Sequence, residues 1–229
     1  MTRHILLAFL LAALPASSED VAAGSTAEPT LDCAGPMIQK VQDRYDGVRD
    51  LSAHFVQETR NVAFGGAAGP DTVSGRVLFA KPGRMRWEYE KPQPSLVVSD
   101  GAVLWIYDPV AREAQKLAVD QGYLSGAAIQ FLVGDGQIED SFEVTARECG
   151  GASVELELRP REASTYERID LSVDPDTGWI LVTTVHDLFG NRTQVTFSEL
   201  RANEGAPAER FGFEPPDGVR VLSLEAPPG

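Results

Sequence analysis

The residues most suggestive of a site are large aromatic side chains that alternate with charged ones near the middle of the chain. Met85, Trp87 and Tyr89 are separated by single charged residues, and Trp105 and Tyr107 repeat the same spacing after a turn. Successive side chains of a β-strand point to opposite faces, so each segment would present its large apolar groups on one face. Such a face can bind or bury apolar groups. We interpret it as either an ordinary hydrophobic core or the wall of a site for an apolar ligand.

Residue types that support catalysis or metal binding are sparse. The chain has no Gly-x-Ser-x-Gly nucleophile elbow, and strand alternation places His54 on the outward face, opposite Phe55. His4, His54 and His186 are scattered and show no metal-ligand spacing with either cysteine. The sequence therefore favours a binding protein, with no catalytic residue and no metal site, over an enzyme.

Residues 1–23 have the layout of a cleaved secretory signal. A short basic start precedes an apolar run over residues 5–14 and then small residues. The run is too short to span a bilayer as a helix, which takes about 20 residues. Cleavage after Ser18 and cleavage after Ala23 both fit the small-residue rule, and residues 24–31 are interpreted as a flexible entry segment. We therefore predict an exported, soluble protein.

The compartment bears on the two cysteines, Cys33 and Cys149. In an oxidising compartment an even pair most simply forms a disulfide, and two buried free thiols are the alternative. A bridge over so long a loop is worth about 4–5 kcal/mol in the chain-entropy model. Cys33 lies too far beyond the apolar run to be an acylated anchor, so we do not expect a lipid-modified protein.

Length and charge limit the number of domains and the kinds of partner. About 205 residues follow the leader, which is enough for one domain with a sizeable core over residues 32–229. Without the leader, which contains Arg3, Glu19 and Asp20, 19 basic and 32 acidic residues remain, a net charge of −13. Nucleic acids and anionic membrane surfaces would repel such a chain. We expect no nucleic-acid partner, and the simplest role of the charge is solubility.

Turn signals and period-2 alternation predict a mainly β chain after one amino-terminal helix near residues 36–47. The predicted strands lie near residues 51–62, 72–80, 84–90, 95–99, 103–107, 112–118, 141–147, 152–159, 167–173, 179–187, 192–201 and 219–224. A sheet of about a dozen short antiparallel strands is too large to stay flat. We expect it to curl into a closed or partly closed barrel.

The segment from Gly122 to Val133 departs from the strand pattern. Its apolar residues, including Leu124, Phe131 and Leu132, have the spacing of a short amphipathic helix. Glycines in and around the segment lower its helical stability by about 1 kcal/mol for each interior position. The helix is either a fixed plug of the barrel or a movable lid.

Several motifs together carry a family resemblance over residues 36–224. In order, they are Phe55-x-Gln57, Ser74-Gly75, Lys81-Pro82-Gly83, Trp87-x-Tyr89-x-x-Pro92, Ser99-Asp100-Gly101, Leu104-Trp105-x-Tyr107-Asp108, Asp187-x-x-Gly190-Asn191-x-Thr193 and Phe211-x-Phe213-x-x-Pro216. Their order and spacing resemble the periplasmic outer-membrane lipoprotein carrier family, LolA.

The resemblance implies a fold, a cargo and a route. The fold would be a single antiparallel sheet curled into an incomplete, half-open barrel, covered by an N-terminal helix and a central lid helix. The cavity would hold the acyl chains of lipoproteins, taken from an inner-membrane lipoprotein-releasing ABC transporter and delivered to an outer-membrane lipoprotein receptor. The family implies no catalytic residue and no cofactor. We expect a periplasmic monomer.

Candidate site residues follow from the strand pattern and the resemblance together. The predicted lipid-binding residues are Phe55, Val77, Phe79, Met85, Trp87, Tyr89, Leu96, Val98, Trp105 and Tyr107, with Leu124, Phe131 and Leu132 from the lid. Plain core packing is the alternative for each of them.

Two positions that bear on the release of cargo differ from the family pattern. Lys81 stands where well-known members have an arginine that holds the lid, and Met85 stands where they have an aromatic residue. Lysine donates from a single point and lacks the planar fork of arginine. We expect Lys81 to contact the lid. The rival hypothesis is a related barrel that senses lipids or lipoproteins, or that carries another lipid.

Overall fold

The computed structural model describes residues 33–62, 70–118 and 137–223. The predicted signal sequence, the entry segment up to residue 31 and the predicted lid helix lie outside these residues. Among the described helices, none has the length and apolarity needed to cross a membrane.

Alternating apolar residues form the strands, as in β9, where Ile169, Leu171 and Val173 are buried and their neighbours are not. The strands of the described part are β1 (Asp50–Arg60), β2 (Asp71–Ala80), β3 (Arg84–Lys91), β4 (Ser95–Ser99), β5 (Val103–Asp108), β6 (Glu113–Ala118), β7 (Phe142–Glu148), β8 (Val154–Pro160), β9 (Tyr166–Val173), β10 (Ile180–Asp187), β11 (Arg192–Ala202) and β12 (Arg220–Ser223). The helices are α1 (Ala34–Asp46), α2 (Ile138–Ser141) and a 3₁₀ turn (Ala208–Phe211).

The strands form one open, curled sheet, as predicted. Its order is β12-β6-β5-β4-β3-β2-β1-β11-β10-β9-β8-β7, so β12 and β7 are the edges. Neighbouring strands are antiparallel except β12, which pairs in parallel with β6. The chain reaches β12 from β11 through the long segment 203–219 rather than a hairpin, and this segment carries it to the edge of the sheet beside β6.

Helix α1 packs its apolar stripe on the inner face of the sheet. Met37, Ile38, Val41 and Tyr45 are buried in the same core as β1, β2 and β7–β10. Hydrogen bonds attach the helix to turns at one end of the sheet, since Arg44 Nε donates to Thr177 O at 2.7 Å. We call this the α1 end of the sheet.

A disulfide joins Cys33, just before α1, to Cys149, just after edge strand β7. The Cα atoms are 6.1 Å apart, and the bridge spans 116 positions of sequence. The predicted pairing is therefore confirmed, and it fastens the start of α1 to the edge of the sheet.

Close packing between β2 and β3 explains the glycine of the Ser74-Gly75 motif. The pairing of β2 with β3 shifts register between these residues, and a Cβ atom built on Gly75 would lie 1.8 Å from Glu88 O. Gly75→Ala should therefore lower the free energy of unfolding by about 1–3 kcal/mol, measured by urea denaturation, because the strands must separate to admit the methyl group.

Gly35→Ala is the matched control, because a Cβ atom there meets nothing within 4 Å and the residue lies in α1. At interior positions alanine stabilises a helix by about 1 kcal/mol relative to glycine, so this variant should be neutral or slightly more stable. Equal stability of the two variants would contradict the steric account of Gly75.

Candidate functional site

One continuous apolar surface lies on the inner face of β1, β2 and β3. Cross-strand pairing aligns Phe55 with Gly75 and Tyr89, Val77 with Trp87, and Phe79 with Met85, so these side chains share a face. We use the name inner wall for the following seven residues: Phe55, Val77, Phe79, Met85, Trp87, Tyr89 and Phe197. These strands bring six predicted site residues together, and Phe197 joins them from β11.

Trp87 is the centre of the inner wall. Its ring centroid lies 4.7 Å from that of Phe55, 5.8 Å from Phe79 and 6.3 Å from Phe197. Tyr89 packs edge-on against Phe55 at 5.3 Å. These distances are those of favourable tilted and T-shaped ring pairs. Phe55 is fully buried, whereas Trp87 and Tyr89 keep part of their surface accessible.

The inner wall carries two polar groups at its aromatic centre. Burial raises the pKa of Tyr89, so its hydroxyl stays neutral at physiological pH. Trp87 Nε1 is buried and has no hydrogen-bond acceptor in the described part of the chain. The wall is therefore uncharged, which suits an apolar ligand.

Four predicted lining residues lie elsewhere. The pairing of β3, β4 and β5 aligns Trp87 with Val97 and Ile106, which puts Leu96, Val98, Trp105 and Tyr107 on the outer face. Their predicted place in the inner wall is wrong. The physical reason is the register set by the two intervening turns, because a shift of one residue moves every side chain to the opposite face.

The carboxy-terminal segment packs on two of these residues, Trp105 and Tyr107, on the outer face. The ring of Phe213 lies 5.5 Å from Trp105 and 5.1 Å from Tyr107, and Phe211 is fully buried nearby. Arg86 Nη1 also donates to Arg210 O at 3.1 Å. The Phe211-x-Phe213 motif therefore builds a second aromatic cluster on the outer face, in which Phe211 is buried and Trp105, Tyr107 and Phe213 stay partly accessible.

Lys81 contacts α1 in the described structure. Its Nζ donates to Tyr45 O at 2.9 Å, which satisfies a carbonyl group at the end of that helix. The predicted lid residues Leu124, Phe131 and Leu132 lie outside the described residues, so contact between Lys81 and the lid stays a prediction.

A charged cluster on the outer face of β8–β10 includes a histidine and a carboxylate. His186 Nε2 lies 2.7 Å from Asp170 Oδ2, and Arg168 Nη2 lies 3.2 Å from His186 Nδ1. Glu157, only 9% exposed, joins the cluster through Arg168 Nε at 3.7 Å and also pairs with Arg159 Nε at 2.7 Å. Arginines on both sides of the carboxylates make this an ion-pair network that links neighbouring strands. His54, as predicted, is exposed on the outer face.

Sequence reasoning missed Phe197. The sequence pattern that could have found it is the alternation of Val195 and Phe197 with polar residues in β11, which matches the alternation in the other wall strands. In the structure Phe197 pairs with Phe55. The strand was predicted, but its apolar face was not assigned to the site.

The fold and inner wall define a class of protein, an open β half-barrel whose interior carries one apolar aromatic wall. The chain belongs to the LolA family. The family described as outer membrane lipoprotein carrier protein LolA matches residues 46–214.

Similar proteins extend over most of the chain. The outer-membrane lipoprotein carrier protein of Chromobacterium violaceum is 35% identical over 182 residues, which are 77% of this chain and 82% of that protein. Its counterpart in Dechloromonas aromatica is 32% identical over 199 residues, or 85% and 90% of the two chains. The solved structure of an uncharacterized conserved protein from Thermus thermophilus shares the fold, with a TM-score of 0.53, 12% identity and coverage of 83% and 98%.

Proposed function

We propose that this protein is a lipoprotein carrier whose inner wall binds the acyl chains of its cargo. The observation that supports this most is the uncharged cluster around Trp87, in which Trp87 and Tyr89 stay partly accessible, inside a half-barrel of the LolA family. A core residue needs no such access, whereas a binding wall does. The similar proteins named as lipoprotein carriers support the same cargo.

The energetic need for a carrier follows from the cargo. Burying each methylene group is worth about 0.8 kcal/mol, so a ~16-carbon acyl chain left in water costs roughly 12 kcal/mol. Lipoproteins have more than one such chain, and unassisted crossing of an aqueous compartment would be negligibly slow. The inner wall supplies the apolar surface that replaces the membrane during transit.

Release sets the second requirement. The carrier must give up its cargo without a catalytic step or a cofactor. The free energy of binding to the carrier must therefore be only slightly less favourable than that of binding at the next site on the route. In this proposal residues 122–133 form a lid whose closed state competes with the cargo, with Leu124, Phe131 and Leu132 facing the acyl chains and Lys81 contacting the lid.

The proposed route begins with export through the leader at residues 1–23. The carrier acts in the periplasm as a monomer. It receives lipoproteins from an inner-membrane lipoprotein-releasing ABC transporter and delivers them to an outer-membrane lipoprotein receptor. The names of the similar proteins support the destination, and the leader-like sequence supports the compartment.

Purification from the native periplasm tests the proposal. Mass spectrometry of the intact complex should find acylated lipoprotein bound to the protein, and depletion of the protein should leave lipoproteins in the inner membrane. A purified protein that carries other lipids, with lipoproteins still correctly placed after depletion, would instead support a sensor or a carrier of another lipid.

A further inference from the structure

The turn between β10 and β11 exposes two adjacent large apolar side chains. Leu188 is 63% exposed and Phe189 is 82% exposed. Val62, at 58%, lies beside them, because a Cβ atom built on Gly190 would be 3.7 Å from its side chain. We call Leu188 and Phe189 the apolar turn. Together with Val62 they form a contiguous exposed apolar patch, and such patches mark interaction sites when they are large.

Hydrogen bonds fix the shape of the apolar turn. Asp187 Oδ1 accepts from the backbone N–H groups of Phe189 and Asn191, each at 2.8 Å. Asn191 Nδ2 donates to Asp187 Oδ2 at 2.7 Å, and Asn191 Oδ1 accepts from Val62 N at 3.1 Å. Gly190 closes the turn with a φ of 85°, which glycine adopts without strain. The aromatic ring is therefore presented in one backbone conformation before any partner arrives.

The apolar turn lies at the end of the sheet opposite the α1 end. β1 begins beside α1, where Asn203 Nδ2 donates to Gly47 O at 3.0 Å, and runs away from it. β11 is antiparallel to β1 and β10 is antiparallel to β11, so the turn that joins them is at the far end. A partner bound there would not compete with α1.

Two arginines stand directly behind the apolar turn. Arg60 and Arg192 are opposite each other on β1 and β11, and both are exposed. Within the described residues neither has a carboxylate partner, and Arg192 Nη2 donates to Gln194 Oε1 at 2.5 Å. Both guanidinium groups are therefore available to a partner, in a chain with a net charge of −14. They match a partner surface with carboxylates.

We propose that the apolar turn is a docking knob that inserts into an apolar pocket, bordered by carboxylates, on a membrane-bound protein that exchanges lipoproteins with this carrier. The proposal rests on the proposed carrier function. A rigid turn lowers the entropy lost on docking into a shaped pocket, whereas a bilayer demands no fixed shape. The acidic net charge also opposes binding to an anionic bilayer. A protein partner therefore fits better than a lipid surface.

The test replaces both apolar side chains, as Leu188→Ser with Phe189→Ser. The matched control is Val110→Ser, because Val110 is 64% exposed in the β5–β6 turn and its N–H is bonded to an aspartate, Asp108, in the same way. Each protein is given inner-membrane vesicles containing radiolabelled lipoprotein, and its loaded form is then given outer-membrane vesicles. Binding of a synthetic triacylated lipopeptide is measured separately.

The double variant should bind the lipopeptide like the wild type, while lipoprotein release or delivery slows by about tenfold or more, as expected for loss of an aromatic anchor. Val110→Ser should keep both rates. Charge reversal at Arg60 and Arg192 should slow the same step, and added salt should reduce the difference.

Three results would count against docking to a protein. Unchanged release and delivery by the double variant would overturn the docking knob alone. Sedimentation of the wild type, but not the double variant, with protein-free vesicles of phosphatidylethanolamine and phosphatidylglycerol would make the bilayer the occupant. A wild type that binds neither the lipopeptide nor lipoprotein would overturn the carrier function as well.

Discussion

Replacing Trp87 by alanine should weaken binding of a triacylated lipopeptide by about 10- to 100-fold, because the indole is the centre of the inner wall. The ring contacts Phe55, Phe79 and Phe197, so its removal leaves a gap in the apolar surface that we propose as the binding site of the cargo. Equilibrium fluorescence titration with a labelled lipopeptide measures the affinity. Lipoprotein release from inner-membrane vesicles should fall in parallel.

Trp105→Ala is the control for this substitution. It removes the same side chain from the outer face, where Trp105 packs on Phe213 and beneath Lys116 Nζ, which is 5.4 Å from the ring centroid. Both variants should lose stability, since large-to-alanine substitutions cost about 3–5 kcal/mol at fully buried sites and less at partly exposed ones. Only Trp87→Ala should lose lipopeptide affinity. Equal loss of affinity in both variants would assign the effect to general destabilisation.

Removing the disulfide should produce a large loss of stability. Cys33→Ser with Cys149→Ser releases a loop that spans 116 positions, and loss of such a bridge costs about 2–5 kcal/mol, or roughly 5–15 °C in melting temperature. The start of α1 would also separate more easily from the edge strand β7. Guanidinium denaturation followed by circular dichroism measures the change.

Reduced wild-type protein is the matched control for the double variant, and the two should unfold at the same denaturant concentration. If the variant unfolds at the same concentration as the oxidised wild type, the bridge contributes nothing and α1 is held by its packing alone. A labelling test with maleimide after denaturation should find no free thiol in the oxidised protein.

The strands and α1 could be predicted because their signals are local. Alternation within β9 or β3 specifies which residues share a face of that strand, and turn residues mark where each strand ends. The twelve predicted strands agree with the twelve in the described structure within about two residues at each end. The parallel pairing of β12 with β6 has no such local signal, because the connection from β11 is long.

The inner wall could be predicted only in part, for a reason that concerns register. Phe55, Val77, Phe79 and Met85 lie on one face, as predicted, and the short Lys81-Pro82-Gly83 turn sets the register of β2 with β3. Trp105 repeats the local alternation of Trp87, but the turns before and after β4 put it on the opposite face. Alternation fixes faces within a strand, whereas turn geometry fixes them between strands.

Fluorescence quenching can show most directly whether acyl chains contact Trp87 of the inner wall and not Trp105 of the outer face. The chain has three tryptophans, so variants with phenylalanine at the other two positions retain Trp87 alone or Trp105 alone. Lipopeptide with brominated acyl chains should strongly quench the emission of Trp87 and leave that of Trp105 almost unchanged. Equal quenching of both, or quenching of Trp105 alone, would contradict an inner wall that binds acyl chains.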